Sequence, residues 1–313
     1  MTVGIGIAGP GAGRAALAAL AMVERVGRGM LGGFVSMAAL DAAGRVLRAE
    51  TGRGGAGAVL AQALPEALME APVAVLISSG PDRLPPLSQF TPAAEGVGCL
   101  SGHRLPNMPG RPGGPPLNAL ALERLAAGGP AQAVLDRLMA ENPDADAGLI
   151  AVTAGGEVAA ADSALAAARN DAGGIVTAGG GLRIAVQHNS IFPVAGLAAV
   201  AAGAAIDSVA PADAHDFEIT LAAGLPLTSG APDGIEINAA GRVTAIGGLP
   251  PGWLAPVWQG AAAMRGRPVL RGGRVVGTLV SEAYCVARDG VLDSCDGDAT
   301  VRLRVRAADR ERG

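Results

Sequence analysis

Apolar residues recur along this chain in two ways, at the spacing of helices and in short runs that flank glycine turns. The phrase Asp41-Ala-Ala-Gly44-Arg-Val46 lies between two such runs and returns as Asn238-Ala-Ala-Gly241-Arg-Val243, with looser copies at 153–158 and 271–275. Asp or Asn opens a type I turn, and Gly supplies the positive φ that closes it into a bulged hairpin. The pattern predicts that the chain folds back repeatedly as antiparallel strands.

Helices are predicted where apolar residues recur every three or four positions. The segment 13–27 shows this spacing at Leu17, Leu20 and Val23 and has Gly27 to end it. Similar spacing predicts helices at 56–70 (divided at Pro65), 117–127, 130–142, 196–206 and 253–264. Apolar runs and alternating segments predict strands at 33–40, 45–50, 73–77, 182–188, 217–221, 274–286 and 300–305, with a further hairpin at 148–162.

Helices that alternate with antiparallel hairpins are typical of the α+β class, with two sheets face to face and helices outside. From about residue 211 the chain becomes strand-rich. The sequence therefore predicts an α+β domain at 1–210 and a strand-rich C-terminal part at 211–313.

The composition excludes several kinds of chemistry. All 24 basic residues are Arg, a bias typical of a GC-rich bacterial genome. Without Lys, the chain cannot form a lysine Schiff base, a Ser–Lys dyad or a P-loop. A net charge of −4 and 2% aromatic residues give no case for nucleic-acid binding.

Cysteine usage and hydropathy indicate the setting of the protein. The three cysteines form no CxxC pair, so neither a disulfide framework nor a zinc site is indicated. The N-terminal segment has no positively charged region, and the most apolar stretch, 194–205, is too short to span a bilayer. We expect a cytoplasmic protein that does not bind the membrane. The composition is compatible with a homo-oligomer.

The segment 78–116 breaks the periodic pattern and holds the strongest candidates for chemistry. It is rich in Pro and Gly, and a long loop in a compact domain is often functional. A Ser or Thr would attack, His103 would accept the proton, and Arg104 would hold a substrate carboxylate. The predicted catalytic residues are Ser78, Ser79, His103 and Thr51, and the predicted substrate-binding residues are Arg104, Asn107, Asp82 and Arg83.

Cys99 is an alternative nucleophile, because His103 is near enough in sequence to activate it. The alternative interpretation of the whole segment is structural: its Ser, Gly, Pro and Asp residues make turns, and Cys99 is buried.

Four other polar or glycine-rich segments give weaker indications of chemistry. His188-Asn189-Ser190 ends a predicted strand and fits a turn better than a cleft. Asn170-Asp171 and His215-Asp216 could join the histidines around a metal, but their spacing does not indicate this, and no metal is expected. Gly4-Ile-Gly6-Ile-Ala-Gly9 imitates a dinucleotide fingerprint, yet a hairpin follows instead of a parallel crossover, so no cofactor is expected.

Residues 117–163 resemble the helix pair and hairpin of the N-terminal-nucleophile (Ntn) hydrolases and their asparaginase-like relatives. The resemblance lies in an Ala-Gly-Gly-Pro-Ala-Gln-Ala turn between the helices, at 127–133, and the strand Gly148-Leu-Ile-Ala-Val152. The stretch 32–40 with its Gly44 turn is similar to the hairpin that begins with their nucleophile. The resemblance implies an αββα sandwich and hydrolysis of an amide bond.

The chain departs from that family where the nucleophile would stand. These enzymes attack with a Thr, Ser or Cys freed as a new N-terminus, whose own amine is the base. Here Phe34 follows Gly33, and no cleavage pair is evident in this hairpin. Either the nucleophile lies elsewhere and the protein hydrolyses an amide in a small molecule, or it is a non-catalytic binding or assembly subunit that keeps the fold.

Overall fold

The computed structural model describes residues 1–209, 216–230 and 233–308. The chain forms two compact units, Met1–Ala210 and Pro211–Gly313. The chain combines helices with sheets whose strands are mostly antiparallel, which confirms the α+β class. His215, which was considered as a metal ligand, lies outside the described residues.

Ten strands of the first unit form two antiparallel sheets. The six-stranded sheet has the order β3-β2-β4-β1-β10-β9, and the four-stranded sheet has the order β5-β6-β7-β8. The strands are β1 (Thr2–Ala8), β2 (Phe34–Leu40), β3 (Val46–Thr51), β4 (Val73–Ser79), β5 (Ala93–Ala94), β6 (Gly98–Arg104), β7 (Ala147–Thr153), β8 (Val158–Asp162), β9 (Ala172–Gly179) and β10 (Leu182–Asn189).

The helices of this unit follow the predicted apolar spacing. In the first of them Leu17, Leu20 and Val23 are fully buried on one face, and Gly27 follows its last turn. The helices are α1 (Ala12–Val26), α2 (Gly55–Leu60), α3 (Glu66–Met69), α4 (Leu117–Ala126), α5 (Ala131–Glu141), α6 (Ala164–Ala167) and α7 (Leu197–Val209).

An apolar cluster joins the two sheets. Ala38, Val75 and Ala185 of the six-stranded sheet pack against Ile150 and Val152 of the four-stranded sheet. On its other face, the six-stranded sheet contacts α1 and α7. A second cluster packs Leu100 and Leu149 of the four-stranded sheet against Leu117, Leu135 and Leu138 of α4 and α5.

The sheets approach each other closely along β1 because two positions on the facing side are glycine. A Cβ on Gly4 would lie 2.3 Å from the Gly102 carbonyl oxygen of β6. A Cβ on Gly6 would lie 2.4 Å from a methyl of Ile150. No side chain larger than hydrogen fits at these positions without moving a strand.

The second unit is built from strands, as predicted, around its own core of Ile, Leu and Val with Trp253. A six-stranded sheet of order β11-β19-β16-β15-β12-β13 and a three-stranded sheet of order β14-β17-β18 form it. Its strands are β11 (Phe217–Ala222), β12 (Gly234–Ile237), β13 (Val243–Gly247), β14 (Trp258–Ala263), β15 (Pro268–Arg271), β16 (Arg274–Leu279), β17 (Ala283–Arg288), β18 (Val291–Cys295) and β19 (Thr300–Ala307).

Two predicted elements are wrong. The helix predicted at 253–264 is a 3₁₀ turn at Pro251–Leu254 followed by strand β14, because pairing of Trp258 and Gln259 with β17 overrides the local propensity. The irregular loop predicted at 78–116 contains β6, whose Gly98 and Gly102 hide its strand pattern. None of the helices in the described ranges is long and apolar enough to cross a membrane.

We expect Gly4→Ala to destabilise the first unit by about 2 kcal/mol or more, because the added methyl would overlap the Gly102 carbonyl. Urea unfolding monitored by circular dichroism measures the change. Gly57→Ala in α2 is the matched control, since a Cβ there meets no atom within 4 Å and should be neutral or slightly stabilising. Equal unfolding midpoints for the two variants would contradict the close-approach argument.

Candidate functional site

Thr2 is the first residue of β1 and faces the space between the two sheets. Side chains alternate along a strand, so Thr2 shares a face with Gly4, Gly6 and Ala8, which meet β6 and β7. Thr2 is 7% exposed. Among the hydrogen bonds of the described residues, none involves the Thr2 hydroxyl. Thr2 Oγ1 is not one of the fully buried polar atoms without a partner, so this hydroxyl keeps some contact with solvent.

A row of side chains crosses the six-stranded sheet at the level of Thr2. Thr2 pairs with Ser79 on β4 and with Asn189 on β10, and Phe34 on β2 pairs with Ser79. Paired residues on neighbouring strands point to the same face, about 5 Å apart. The Ser79 hydroxyl donates a hydrogen bond of 2.7 Å to the Met1 carbonyl oxygen, which belongs to the Met1–Thr2 peptide bond.

Arg104 and two carboxylates lie next to this row. The Arg104 guanidinium contacts Asp171 and lies 3.3 Å from Asp146 (Nη1 to Oδ1), and its side chain is 7% exposed. Ser190 donates a 2.5 Å hydrogen bond to Asp171, and the Asn189 amide reaches the Ser190 hydroxyl. Arg104 and Ser190 both have a positive φ, of 63° and 55°. Such backbone strain in residues other than glycine occurs often at functional sites.

His103, Asp162 and Gln187 form a second polar group that bridges the sheets. His103 Nε2 lies 2.8 Å from Asp162 Oδ1, and the Gln187 amide donates to the same oxygen at 3.0 Å. His103 and Asp162 belong to the four-stranded sheet, whereas Gln187 belongs to the other sheet. Gly148 leaves room for this contact, because a Cβ there would lie 2.1 Å from Asp162.

These residues form two polar groups on neighbouring strands, which together we call the end cluster. The first group is joined by the pairing of Thr2 with Ser79 and Asn189 and by the Asn189–Ser190–Asp171–Arg104 contacts. The second is joined by the His103–Asp162–Gln187 contacts, and it lies beside the first because His103 precedes Arg104 and Gln187 is two residues before Asn189 on β10. Its members are Thr2, Ser79, His103, Arg104, Asp146, Asp162, Asp171, Gln187, Asn189 and Ser190.

Several buried polar atoms of the end cluster make no hydrogen bond within the described residues. They are His103 Nδ1, Arg104 Nε, Asp146 Oδ1, Gln187 Oε1 and Asn189 Oδ1. An unpaired buried polar atom costs on the order of 1–3 kcal/mol. Their concentration at one end of the space between the sheets makes the end cluster the candidate functional site of the first unit.

Charges and burial set the protonation of groups around the end cluster. Hydrogen bonding by Ser190, together with the nearby Arg104 charge, lowers the pKa of Asp171. Burial, followed by the Arg104 charge, lowers the pKa of the Met1 amino group, whereas Asp171 raises it.

The structure brings together three of the residues predicted for catalysis and binding and separates the others. Ser79, His103 and Arg104 belong to the end cluster. Ser78 faces α1 instead, because successive residues of a strand point to opposite faces. Thr51 lies on that same face, opposite Val35, and its hydroxyl donates to the Arg53 carbonyl at 2.7 Å.

The predicted binding residues are also divided. Arg104 cannot freely hold a substrate carboxylate, because Asp146 and Asp171 already neutralise it. Asn107 donates a 3.3 Å bond to Gln89 and is not part of the end cluster. Asp82 and Arg83 are exposed in the loop after β4, and Arg83 lies against the ring of Phe34.

Two alternative chemistries do not fit this geometry. Cys99 is fully buried, and burial raises the pKa of its thiol to about 12, so it is not a reactive thiolate. The glycine-rich start of the chain is strand β1, which pairs antiparallel on both sides, so it is not the parallel unit that binds a dinucleotide. Within the described ranges, no group of three or more His, Cys, Asp or Glu side chains is placed to bind a metal.

Sequence reasoning missed Thr2, Asp162 and Gln187 as site residues. Asn189 and Ser190 were noted but interpreted as a turn. The available signal for Thr2 was its position, at the start of a strand whose alternate residues are Gly4 and Gly6. That spacing indicates a strand face pressed against another backbone, and Thr2 shares that face.

The first unit thus defines an α+β protein with antiparallel sheets and one polar end cluster. Residues 2–218 match the model of a family described as Domain of unknown function (DUF6963), and the chain belongs to this family, since the match spans well over half of its length. Residues 224–300 match a second model, described as Domain of unknown function (DUF7259). No curated protein matches the chain.

His188 lies on the opposite face of β10 from Gln187 and Asn189. We expect it to make the free energy of unfolding of the first unit depend on pH in the acid range. Burial, followed by the His103 charge, lowers the pKa of His188 to about 4. The unfolded chain has the ordinary value near 6.5, so between these values the unfolded state binds more protons. Stability therefore falls as the pH drops from about 6.5 toward 4.

We expect the free energy of unfolding to fall by about 2 kcal/mol more in the wild-type chain than in His188→Gln between pH 6.5 and 4.5. Urea titrations at several pH values measure this difference, with each chain compared with its own value at pH 7. Parallel pH profiles for the two chains would show that His188 does not carry this acid sensitivity.

Proposed function

We propose that this protein hydrolyses an amide bond in a small molecule, with Thr2 as an N-terminal nucleophile after cleavage of the Met1–Thr2 bond. One observation carries the proposal: the Thr2 hydroxyl faces the space between the sheets, without a hydrogen bond, between Ser79 and Asn189. Removal of Met1, or of any longer segment that ends there, would free the Thr2 amine beside this hydroxyl.

The packing of the first unit supports this proposal. Two antiparallel sheets share an apolar cluster, and helices contact each sheet on the other side. We propose that these layers correspond to the αββα sandwich of the Ntn hydrolases. In that arrangement the nucleophile begins a strand of the central layers, which is the position of Thr2 on β1.

The reaction needs only the groups of Thr2 and water. The neutral Thr2 amine accepts the hydroxyl proton as Oγ1 forms a bond to the amide carbonyl carbon. The resulting ammonium returns this proton to the departing nitrogen as the C–N bond breaks, which leaves an ester on Thr2. Water, deprotonated by the same amine, then attacks the ester and releases the acid, with the proton returned to Oγ1.

Neighbouring residues would position the reacting atoms. The Ser79 hydroxyl now bonds the Met1 carbonyl, so after cleavage it is free to bond the Thr2 amine that takes its place. The Asn189 side chain flanks Thr2 on the other strand, where its amide can contact the substrate carbonyl. Arg104 and Asp171 hold Ser190, and through it Asn189, in place.

The alternative is a binding or assembly subunit that keeps this fold without the reaction. It would use the same end cluster, with its unpaired polar atoms, to hold a ligand. A chain that begins at Thr2, binds small amides and never cleaves them would favour this alternative.

We expect a purified chain that begins at Thr2 to hydrolyse members of a panel of small acyl p-nitroanilides and to carry the acyl group on its N-terminal peptide. Thr2→Ala should abolish both, because no hydroxyl remains to form the ester. Thr2→Ser should retain part of the activity. Release of p-nitroaniline and intact-mass spectrometry measure the two outcomes.

The adjacent serines give a matched comparison. Ser79→Ala should lower kcat about 10-fold or more, since Ser79 lies beside the amine, whereas Ser78→Ala, on the opposite face, should retain most of kcat. Amide hydrolysis by Thr2→Ala at the wild-type rate would exclude Thr2 as the nucleophile.

A further inference from the structure

The Arg83 guanidinium lies over two aromatic rings and faces no carboxylate partner among the described residues. Its guanidinium carbon is 5.4 Å from the ring centre of Phe34 and 5.2 Å from that of Phe90. Among the ion pairs of the described residues, none involves Arg83, in contrast to Arg104 with its two carboxylates. We propose that Arg83 binds a carboxylate of the substrate, so that the substrate is an amide that carries a carboxylate away from the scissile bond.

The position of Arg83 relative to Thr2 follows from the sheet. Phe34, Ser79 and Thr2 occupy one row on three neighbouring strands and share one face. Neighbouring strands lie about 4.8 Å apart, so Phe34 is about 10 Å from Thr2 along the row. Arg83 covers the ring at the far end of this row. A ligand that reaches both residues therefore spans on the order of 10 Å.

The main chain and the rings hold Arg83 in place. The Arg83 N–H donates to the Gly52 carbonyl at 2.9 Å, and a side chain at Gly52 would collide with the Arg83 carbonyl. Phe34 and Phe90 are buried with Ile77 and Leu87 in one cluster, and their rings lie 4.7 Å apart. A guanidinium stacked on a firm aromatic surface keeps its N–H edge available for an anion.

The nearby acids do not cancel this charge. Glu50 accepts a 3.0 Å hydrogen bond from the Leu87 N–H, so its carboxylate is engaged elsewhere. Asp82 precedes Arg83 in the loop and is exposed, and no ion pair joins the two among the described residues. The preferred partner of a guanidinium fork is a planar carboxylate, which binds it through two parallel hydrogen bonds.

This inference rests on the proposed function for the position of the scissile amide, which Thr2 defines. The carboxylate could lie on the acyl side or on the amine side of that amide. Three ligands separate these cases and share one length: hexananilide has no carboxylate, adipic acid monoanilide has one on the acyl side, and 4-hexanamidobenzoate has one on the amine side.

Isothermal titration of the full chain carrying Thr2→Ala with these three ligands tests the proposal without turnover. We expect at least one of the two carboxylates to bind about tenfold or more tightly than hexananilide. Arg83→Ala should remove this preference. Arg53→Ala is the matched control, because it removes the same charge from the neighbouring turn and should leave the preference intact.

Equal binding of the three ligands, or a preference that survives Arg83→Ala, would overturn the carboxylate site, whether or not Thr2 is a nucleophile. The proposed hydrolysis is judged separately, on the chain that retains Thr2. If the preference depends on Arg83 but that chain releases neither aniline nor 4-aminobenzoate from any of the three ligands, the carboxylate site stands and the hydrolase proposal fails.

Discussion

The first unit depends on the close approach of two sheets along strand β1. Gly4 and Gly6 present only hydrogen atoms to the backbone of Gly102 and to Ile150, so the strands meet at distances that no side chain would permit. Two consequences follow from this contact. The apolar cluster packs between the sheets beside this contact, and the polar residues of the end cluster lie at the end where Thr2 begins the strand.

At the Thr2 end of the sheets, burial and charge pairing determine whether an arginine can bind an anion. Arg104 is almost fully buried, and its two carboxylate partners compensate for the loss of solvation. The same pairing leaves Arg104 no free charge for a substrate. Arg83 is the opposite case, since it is exposed, stacked on rings and unpaired within the described chain. An arginine near a site therefore indicates an anion only when its own charge is not already compensated.

Much of the fold could be predicted from local sequence, because local physics determines it. The turns at Gly44 and Gly241 need a positive φ, and both form hairpins in the structure. The site was harder to predict. Ser78 and Ser79 look equivalent in sequence, yet the strand sends them to opposite faces. His103 lies on β6, whose glycines suggested a loop. Its partner Asp162 is 59 residues away in sequence, and Gln187, which also bonds Asp162, is 25 residues beyond Asp162. Only the pairing of the sheets brings such residues together.

Phe34 stands where the resemblance to the Ntn hydrolases predicts a nucleophile, and its place in the six-stranded sheet can be compared with that of Thr2. The resemblance to Ntn hydrolases led us to expect a nucleophile at the start of β2, where Phe34 stands. Thr2 stands at the same level two strands away, on the same face, with Ser79 between them. A nucleophile at Phe34 would lie at the side of the sheet beside Arg83, whereas Thr2 lies nearer the middle, between Ser79 and Asn189. The aromatic ring at position 34 instead lies under the Arg83 guanidinium, whose carbon is 5.4 Å from the ring centre.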